Sequence, residues 1–273
     1  MMAPVSRLNP SWAASCAQGT AVALRHDNCV LLFLRGPATS IWRPSRPASA
    51  FSFEISGLKV TSTADMGAGA VQFAPLWLPV GPHSICAMTG LATDVEHLFR
   101  VLQKQVDNHW NIYDEHMTTH TMTTSLADTF QAAPFQGDRP FGVQCLLIGG
   151  DDSDKERIFG IYSIDPSGAW QAWGEAAAIG KYAKTVREAL AKKKKEAAQP
   201  PSSLKEALEQ LVECWMETCK KQNIKLHAAS DEDYQVLVLC KETGDSSCKM
   251  YAVDSGDVSS IVDQAIAAKT TTQ

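Results

Sequence analysis

The stretch from Arg139 to Lys181 constrains the fold more than any other part of the chain. Phe141 to Ile148 is an apolar run of strand length, too short for a helix buried on every side. Ile158 to Ile164 carries β-branched and aromatic residues and reads as a second strand. Asp165-Pro166-Ser167-Gly168 has turn chemistry at its first, second and fourth places. Asp accepts from the backbone, Pro presets φ and Gly closes the turn. Beyond Trp170 and Trp173 the period lengthens to about 3.6, with Tyr182, Val186 and Leu190 on one stripe. Gly180 sits where strand gives way to helix, a place that needs backbone freedom. The stretch therefore predicts three strands followed by the start of a helix.

The rest of the chain alternates in the same way. Thr20 to Leu24 and Cys29 to Leu34 read as strands joined by the polar turn Arg25-His26-Asp27-Asn28. Gly36 to Ala50 holds three prolines and no period, so it reads as loop. Phe51, Phe53 and Ile55 alternate with polar residues as a half-buried strand does, and Thr61 to Ala74 reads as a mobile Gly/Ala-rich segment. Val95, Leu98, Phe99, Leu102 and Val106 form one stripe of a helix from about Ala92 to Asn111, with Thr93 or Asp94 as its cap. A second helix follows near Thr119 to Gln131, started by Thr118. Gln199-Pro200-Pro201-Ser202 breaks the helix that ends in Lys192 to Lys195, and Ser203 with Glu206 opens the next as a capping box. Ile224 to Ala229, Tyr234 to Cys240 and Met250 to Val253 read as strands, with a short helix from about Val258.

Composition excludes several classes of function. A net charge of −5 and a pI near 5.8 argue against a nucleic-acid surface. No apolar run approaches the ~18 residues of a membrane span, and the first twenty residues lack a signal peptide's apolar core. The eight cysteines are scattered without a CxxC pair and read as reduced thiols. Cytoplasm and nucleus are the expected compartments.

Five ordered motifs carry a family resemblance. Arg139-Pro140-Phe141-Gly142-Val143, Asp165-Pro166-Ser167-Gly168 and Ala178-Ile179-Gly180-Lys181 resemble the alpha-type subunits of the 20S proteasome. So do Cys86-Ala87-Met88-Thr89-Gly90-Leu91-Ala92-Thr93-Asp94 and Gln105-Val106-Asp107-Asn108-His109-Trp110. The resemblance implies an α+β fold, a four-layer αββα sandwich of two stacked antiparallel sheets between helical layers, as in N-terminal-nucleophile hydrolases. It implies one domain over 19–268, after a divergent segment 1–18 and before a tail 269–273, with ~25 extra residues inserted within 36–82. The family's N-terminal Tyr-Asp, Ser-Pro-x-Gly-Arg and Gln-Val-Glu-Tyr-Ala sequences are absent, so its pore-plugging tail and ring-surface helix are not carried over. No lysine stands near Leu76, where many alpha subunits place one to hold activator tails.

Several residues invite a chemical reading. In beta-type relatives an N-terminal threonine attacks and its own amine acts as base. Gly19-Thr20 lies near that place, but the acid position falls near Arg35 and the later helpers are replaced by Ile179-Gly180-Lys181-Tyr182. Cys16 has no visible partner for a cysteine nucleophile. His116 and His120 beside Glu115 lack the order a zincin helix requires. Trp170 and Trp173 read as core or subunit contact, and Lys192 to Lys195 as a solvated helix end.

The expectation is a non-catalytic structural subunit of the outer alpha ring, with no catalytic, cofactor-binding or metal residues. Its implied partners are neighbouring alpha subunits, beta-ring subunits, and a regulatory particle or other activators, with neither nucleic acid nor membrane. Its implied work is assembly, substrate gating and activator docking in ubiquitin-dependent protein breakdown. The alternatives are a divergent threonine-type hydrolase and a decayed paralogue outside the ring.

Overall fold

Two antiparallel sheets lie face to face, and helices cover the outer face of each. The computed structural model describes residues 19–36, 52–62, 77–150, 159–196, 200–224, 234–241 and 248–270. In chain order the strands are β1 (Thr20–His26), β2 (Cys29–Arg35), β3 (Ser52–Ile55), β4 (Leu58–Ser62), β5 (Trp77–Pro79) and β6 (Ser84–Gly90). Helices α1 (Ala92–Tyr113) and α2 (Thr119–Gln136) follow, then β7 (Val143–Gly149), β8 (Gly160–Ile164), β9 (Trp170–Trp173) and β10 (Ala176–Gly180). The chain continues with α3 (Ala183–Glu196), α4 (Leu204–Lys221), β11 (Tyr234–Lys241), β12 (Cys248–Val253) and α5 (Ser255–Thr270). One sheet has the order β10-β1-β2-β11-β12-β4-β3, the other β5-β6-β7-β8-β9.

The apolar side chains sort into three layers by strand parity. In β2, Val30, Leu32 and Leu34 enter the space between the sheets, while Leu31 and Phe33 face the helices. In β7, Leu146 and Ile148 point between the sheets, while Val143, Cys145 and Leu147 meet α1 and α2. Strands buried on both faces need no polar alternation, which is why both read as apolar runs. Trp215 of α4 and Phe33 meet at 6.1 Å between ring centroids on the outer side of the larger sheet. The result is the four-layer αββα sandwich.

Several local expectations are corrected. Residues 139–181 contain four strands, because Ala176–Gly180 pairs with β1 as an edge of the other sheet. A strand also lies where a mobile segment was expected to begin: β4 pairs with β3 through Ser56 and Gly57, both at positive φ (45° and 86°). That is the backbone of a two-residue hairpin whose twist suits its strands. Strand β4 then joins β12, so part of the region read as an insertion extends the seven-stranded sheet. The last helix is not short; it runs Ser255–Thr270 and absorbs the first residues of the expected tail. Residues 1–18, 37–50, 63–74 and 225–229, on which other readings fell, lie outside the described residues.

The helix starts differ in kind. Thr118 caps α2 by accepting from the Thr121 amide at 3.1 Å. Ser203 caps α4 by accepting from the Glu206 amide at 3.2 Å, while the Glu206 carboxylate reaches back to Ser202 rather than Ser203. Neither Thr93 nor Asp94 caps α1; the cap residue is Leu91, with no side-chain bond. Asp94 is turned inward to Arg139 and to the Gly142 amide, because that buried carboxylate finds stronger donors there.

The reduced-thiol reading fails for one pair. Cys29 and Cys240 form a disulfide between β2 and β11. They are directly opposed in the ladder, and the neighbouring bond from Lys241 N–H to Asn28 O marks them as a non-hydrogen-bonded pair. Opposed side chains come closest at such pairs, and the Cα atoms here are 4.2 Å apart. Residue spacing of 211 hides this from the sequence. Burial and the adjoining Cys86 push the Cys145 thiol well up.

Candidate functional site at the head of strand β1

Thr20 opens β1 between β10 and β2, with Gly180 on one side and Arg35 on the other. Its hydroxyl donates to the Lys181 carbonyl at 2.6 Å, and the Lys181 amide donates to the Gly19 carbonyl at 2.9 Å. The two strand ends are therefore clamped by side chain and backbone together. The Thr20 side chain is buried. Its nitrogen is a peptide nitrogen, joined to Gly19. Deprotonation of such a hydroxyl needs a base within hydrogen-bond reach, and the group it meets here is a carbonyl that accepts the proton without removing it.

Gly180 permits this clamp. Its φ is +84°, and a Cβ placed there would sit 2.5 Å from the Gly19 carbonyl oxygen. Its amide donates across the sandwich to Gln144 Oε1 at 2.8 Å. Gln144 belongs to β7, so this bond ties the two sheets together at the head of β1. A lone glutamine inside the apolar run Val143 to Ile148 was the available signal, and the sequence reading passed over it.

Arg35, at the place expected for an acid, turns to the helical side. Its guanidinium carbon stands 5.3 Å from the Trp215 ring centroid. A guanidinium over an indole face gains from the ring quadrupole. Lys181 likewise lies over Tyr182, with 5.1 Å from Nζ to the centroid. The head of β1 thus presents two cations held on aromatic rings.

The remaining candidates separate. His116 stacks on Trp110 at 4.6 Å, whereas His120 meets Trp170 at 5.3 Å and Tyr162 at 5.9 Å. The Thr118 cap lies between them and turns the two imidazoles apart. Among the described residues, no three His, Cys, Asp or Glu side chains are grouped to hold a metal ion. Trp173 donates to Ser163 Oγ at 2.8 Å and lies under Arg187, while Trp170 stays partly exposed. Lys193 pairs with Glu213 and Lys194 with Glu175 along the end of α3. Cys16 and Leu76 lie outside the described residues, and the next residue, Trp77, is buried and donates to Gln235 at 2.8 Å.

Among the described residues, the exposed large apolar side chains lie on the side of the five-stranded sheet and its helices. Leu91, Trp110, Ile112, Tyr113, Phe135 and Trp170 all belong to α1, α2, β9 or the residue that caps α1. Ile112 is 72% exposed and Phe135 65%. Among the described residues no helix is long and apolar enough to cross a membrane.

Comparison with known proteins gives a consistent picture. Residues 77–229, more than half of the 273, match the family described as proteasome subunit. Proteasome subunit alpha type-8 of Mus musculus is 33% identical over 147 residues, 53% of this chain and 56% of that protein. Proteasome subunit alpha type-7-like of Macaca fascicularis is 30% identical over 172 residues, 59% of this chain and 67% of that protein. Proteasome subunit alpha type-4 of Saccharomyces cerevisiae is 28% identical over 166 residues, 60% and 63% of the two chains. The matched part spans between about half and two thirds of these relatives' lengths.

Proposed function

As the chain belongs to the proteasome subunit family and is related to its alpha-type members, we propose that it is a non-catalytic structural subunit of the outer ring of the 20S core particle. The observation that carries this reading is the head of β1. The Thr20 hydroxyl donates to a backbone carbonyl, and Arg35 stands where a negative charge would be needed. A threonine so placed closes a sheet edge, and the scaffold's use shifts from a cleft to its surfaces.

The one-sided exposure of Trp110, Ile112, Tyr113, Phe135 and Trp170 supports the same reading. Large apolar side chains left exposed on one side suit burial against another subunit. The partners in this proposal are neighbouring alpha subunits and the beta ring, with regulatory activators on the outer side. The work is assembly, gating and activator docking in protein breakdown, in cytoplasm and nucleus.

The test is purification of the tagged full-length chain under native conditions. Recovery within a particle of several alpha and beta chains, without labelling by a threonine-directed covalent inhibitor, is the expected result. Recovery only as a free monomer overturns ring membership. Stoichiometric labelling of Thr20 overturns the non-catalytic role.

A further inference from the structure

The register of the seven-stranded sheet aligns four side chains across four strands. His26 of β1 lies opposite Cys29 of β2, Cys29 opposite Cys240 of β11, and Cys240 opposite Lys249 of β12. Directly opposed residues of an antiparallel ladder project from the same face. Here that face is turned toward the outer helices, where Cys29 and Cys240 adjoin the helix-side core. Cys29 is half-buried, whereas Cys240 and every other described cysteine are buried. Cys29 is thus the least buried of the described cysteines, and it places the pair at the margin of the helix-side core.

We propose that Cys29 and Cys240 form a redox modification site, a reversible clamp closed by a low-molecular-mass disulfide and opened by a low-molecular-mass thiol. Closure begins when Cys29 passes its proton to the imidazole across the strand and its thiolate attacks a sulfur of glutathione disulfide. One glutathione leaves as thiolate, and a mixed disulfide remains on Cys29. The Cys240 thiolate then attacks the Cys29 sulfur and expels the second glutathione. The two cysteines lose two protons and two electrons in all, and one glutathione disulfide becomes two glutathiones. Opening runs in reverse: a glutathione thiolate attacks the sulfur of Cys29, the less buried residue of the pair, and Cys240 leaves as thiolate on the side nearer Lys249. Thiolates are favoured beside cationic or basic groups, and exchange rates depend on the thiolate fraction and on access.

The clamp joins the hairpin that carries Thr20 and Arg35 to the C-terminal part of the same sheet, across 211 residues of chain. This inference goes beyond ring membership and does not depend on it.

The test uses the full-length chain equilibrated in glutathione buffers from reduced to oxidised, quenched in acid, alkylated, and cut with trypsin without reductant. Trypsin cuts after Arg25, Arg35, Lys225 and Lys241, leaving Cys29 alone in peptide 26–35 and Cys240 alone in peptide 226–241. The linked pair of peptides is expected to dominate in oxidised buffer and to fall roughly tenfold or more on transfer to reduced glutathione without denaturant. His26→Ala is expected to slow closure at neutral pH and leave its final extent unchanged. Both peptides recovered singly alkylated at every ratio would overturn the site. So would a linked pair that persists under excess reduced glutathione in the folded chain, or Cys240 joined to Cys248 in peptide 242–249. A His26→Ala chain closing at the unsubstituted rate would overturn the part given to the imidazole.

Discussion

Arg139 grips Asp94 with two parallel hydrogen bonds, Nη1 to Oδ2 at 2.7 Å and Nη2 to Oδ1 at 2.6 Å. The carboxylate also accepts from the Gly142 amide at 2.9 Å. The first turn of α1 is thereby fastened to the segment leading into β7, which pairs with β6 along its whole length. Replacing Arg139 by Ala leaves a buried carboxylate with one donor, and is expected to cost about 2 kcal/mol in urea unfolding. An unchanged midpoint would show that the pair contributes nothing net.

The same carboxylate gives a pH dependence. Burial alone would push the Asp94 carboxyl up; the hydrogen bonds from Arg139 and Gly142, with the charges of Arg139 and His97, outweigh it and hold the group below its ordinary value. A depressed folded-state pKa means that the contribution is complete above the unfolded value of about 3.9 and is lost as pH falls through the lower folded value. Asp94→Asn, which does not titrate there, should be less stable at neutral pH. Below about pH 4 the gap to the unsubstituted chain should narrow. Thermal unfolding across acid pH reads this directly, and parallel curves would contradict it.

Gly180 tolerates no side chain where it stands. Its φ is +84°, and the first carbon of any side chain would lie 2.5 Å from the Gly19 carbonyl oxygen. Gly180→Ala is therefore expected to cost about 2 kcal/mol or more. Hydrogen exchange should show β10 opening from β1 before the rest of the sheet. Exchange that rises evenly everywhere would place the damage elsewhere.

Thr20→Val keeps the shape and removes the hydroxyl. The Lys181 carbonyl loses its 2.6 Å partner, at an expected cost of about 1 kcal/mol. Peptidase activity of an assembled particle carrying the variant should stay unchanged. A large loss of activity with normal assembly would count against a purely structural threonine.

Ser203→Ala removes the acceptor for the Glu206 amide at the start of α4. The expected cost is about 1 kcal/mol. Because Trp215 and the stripe Leu204, Leu208, Leu211 already bury this helix, its content by circular dichroism should barely change. Loss of the helix at room temperature would mean that the cap, and not packing, holds it.

Much of this architecture is legible in local pattern. The strands around Cys29, Cys86 and Phe141 are apolar runs of strand length, and the stripe on α4 repeats at helical spacing. Thr118 and Ser203 announce their helices by the chemistry of a cap. The turn at Ser56-Gly57 was not read: Ser56 was counted with the alternating strand before it, and the strand that follows was not expected. Gln144 was visible as an odd polar residue, without any indication of what it would meet. Arg35 was legible as a departure from the catalytic pattern, because its charge is opposite to that of the acid expected there; what the sequence did not show is that it would lie over Trp215.

What the sequence alone determined is the kind of each segment, because backbone propensity, side-chain period and turn chemistry act over a few residues. What the tertiary structure decided is every relation between distant segments. It sends β10 to the opposite sheet from β9, and turns Asp94 from a cap into the partner of Arg139. It also brings Cys29 against Cys240 and leaves the Thr20 hydroxyl on the Lys181 carbonyl. Such pairings depend on which edges and donors are still unclaimed once the layers have stacked, and no local window of the chain contains that information.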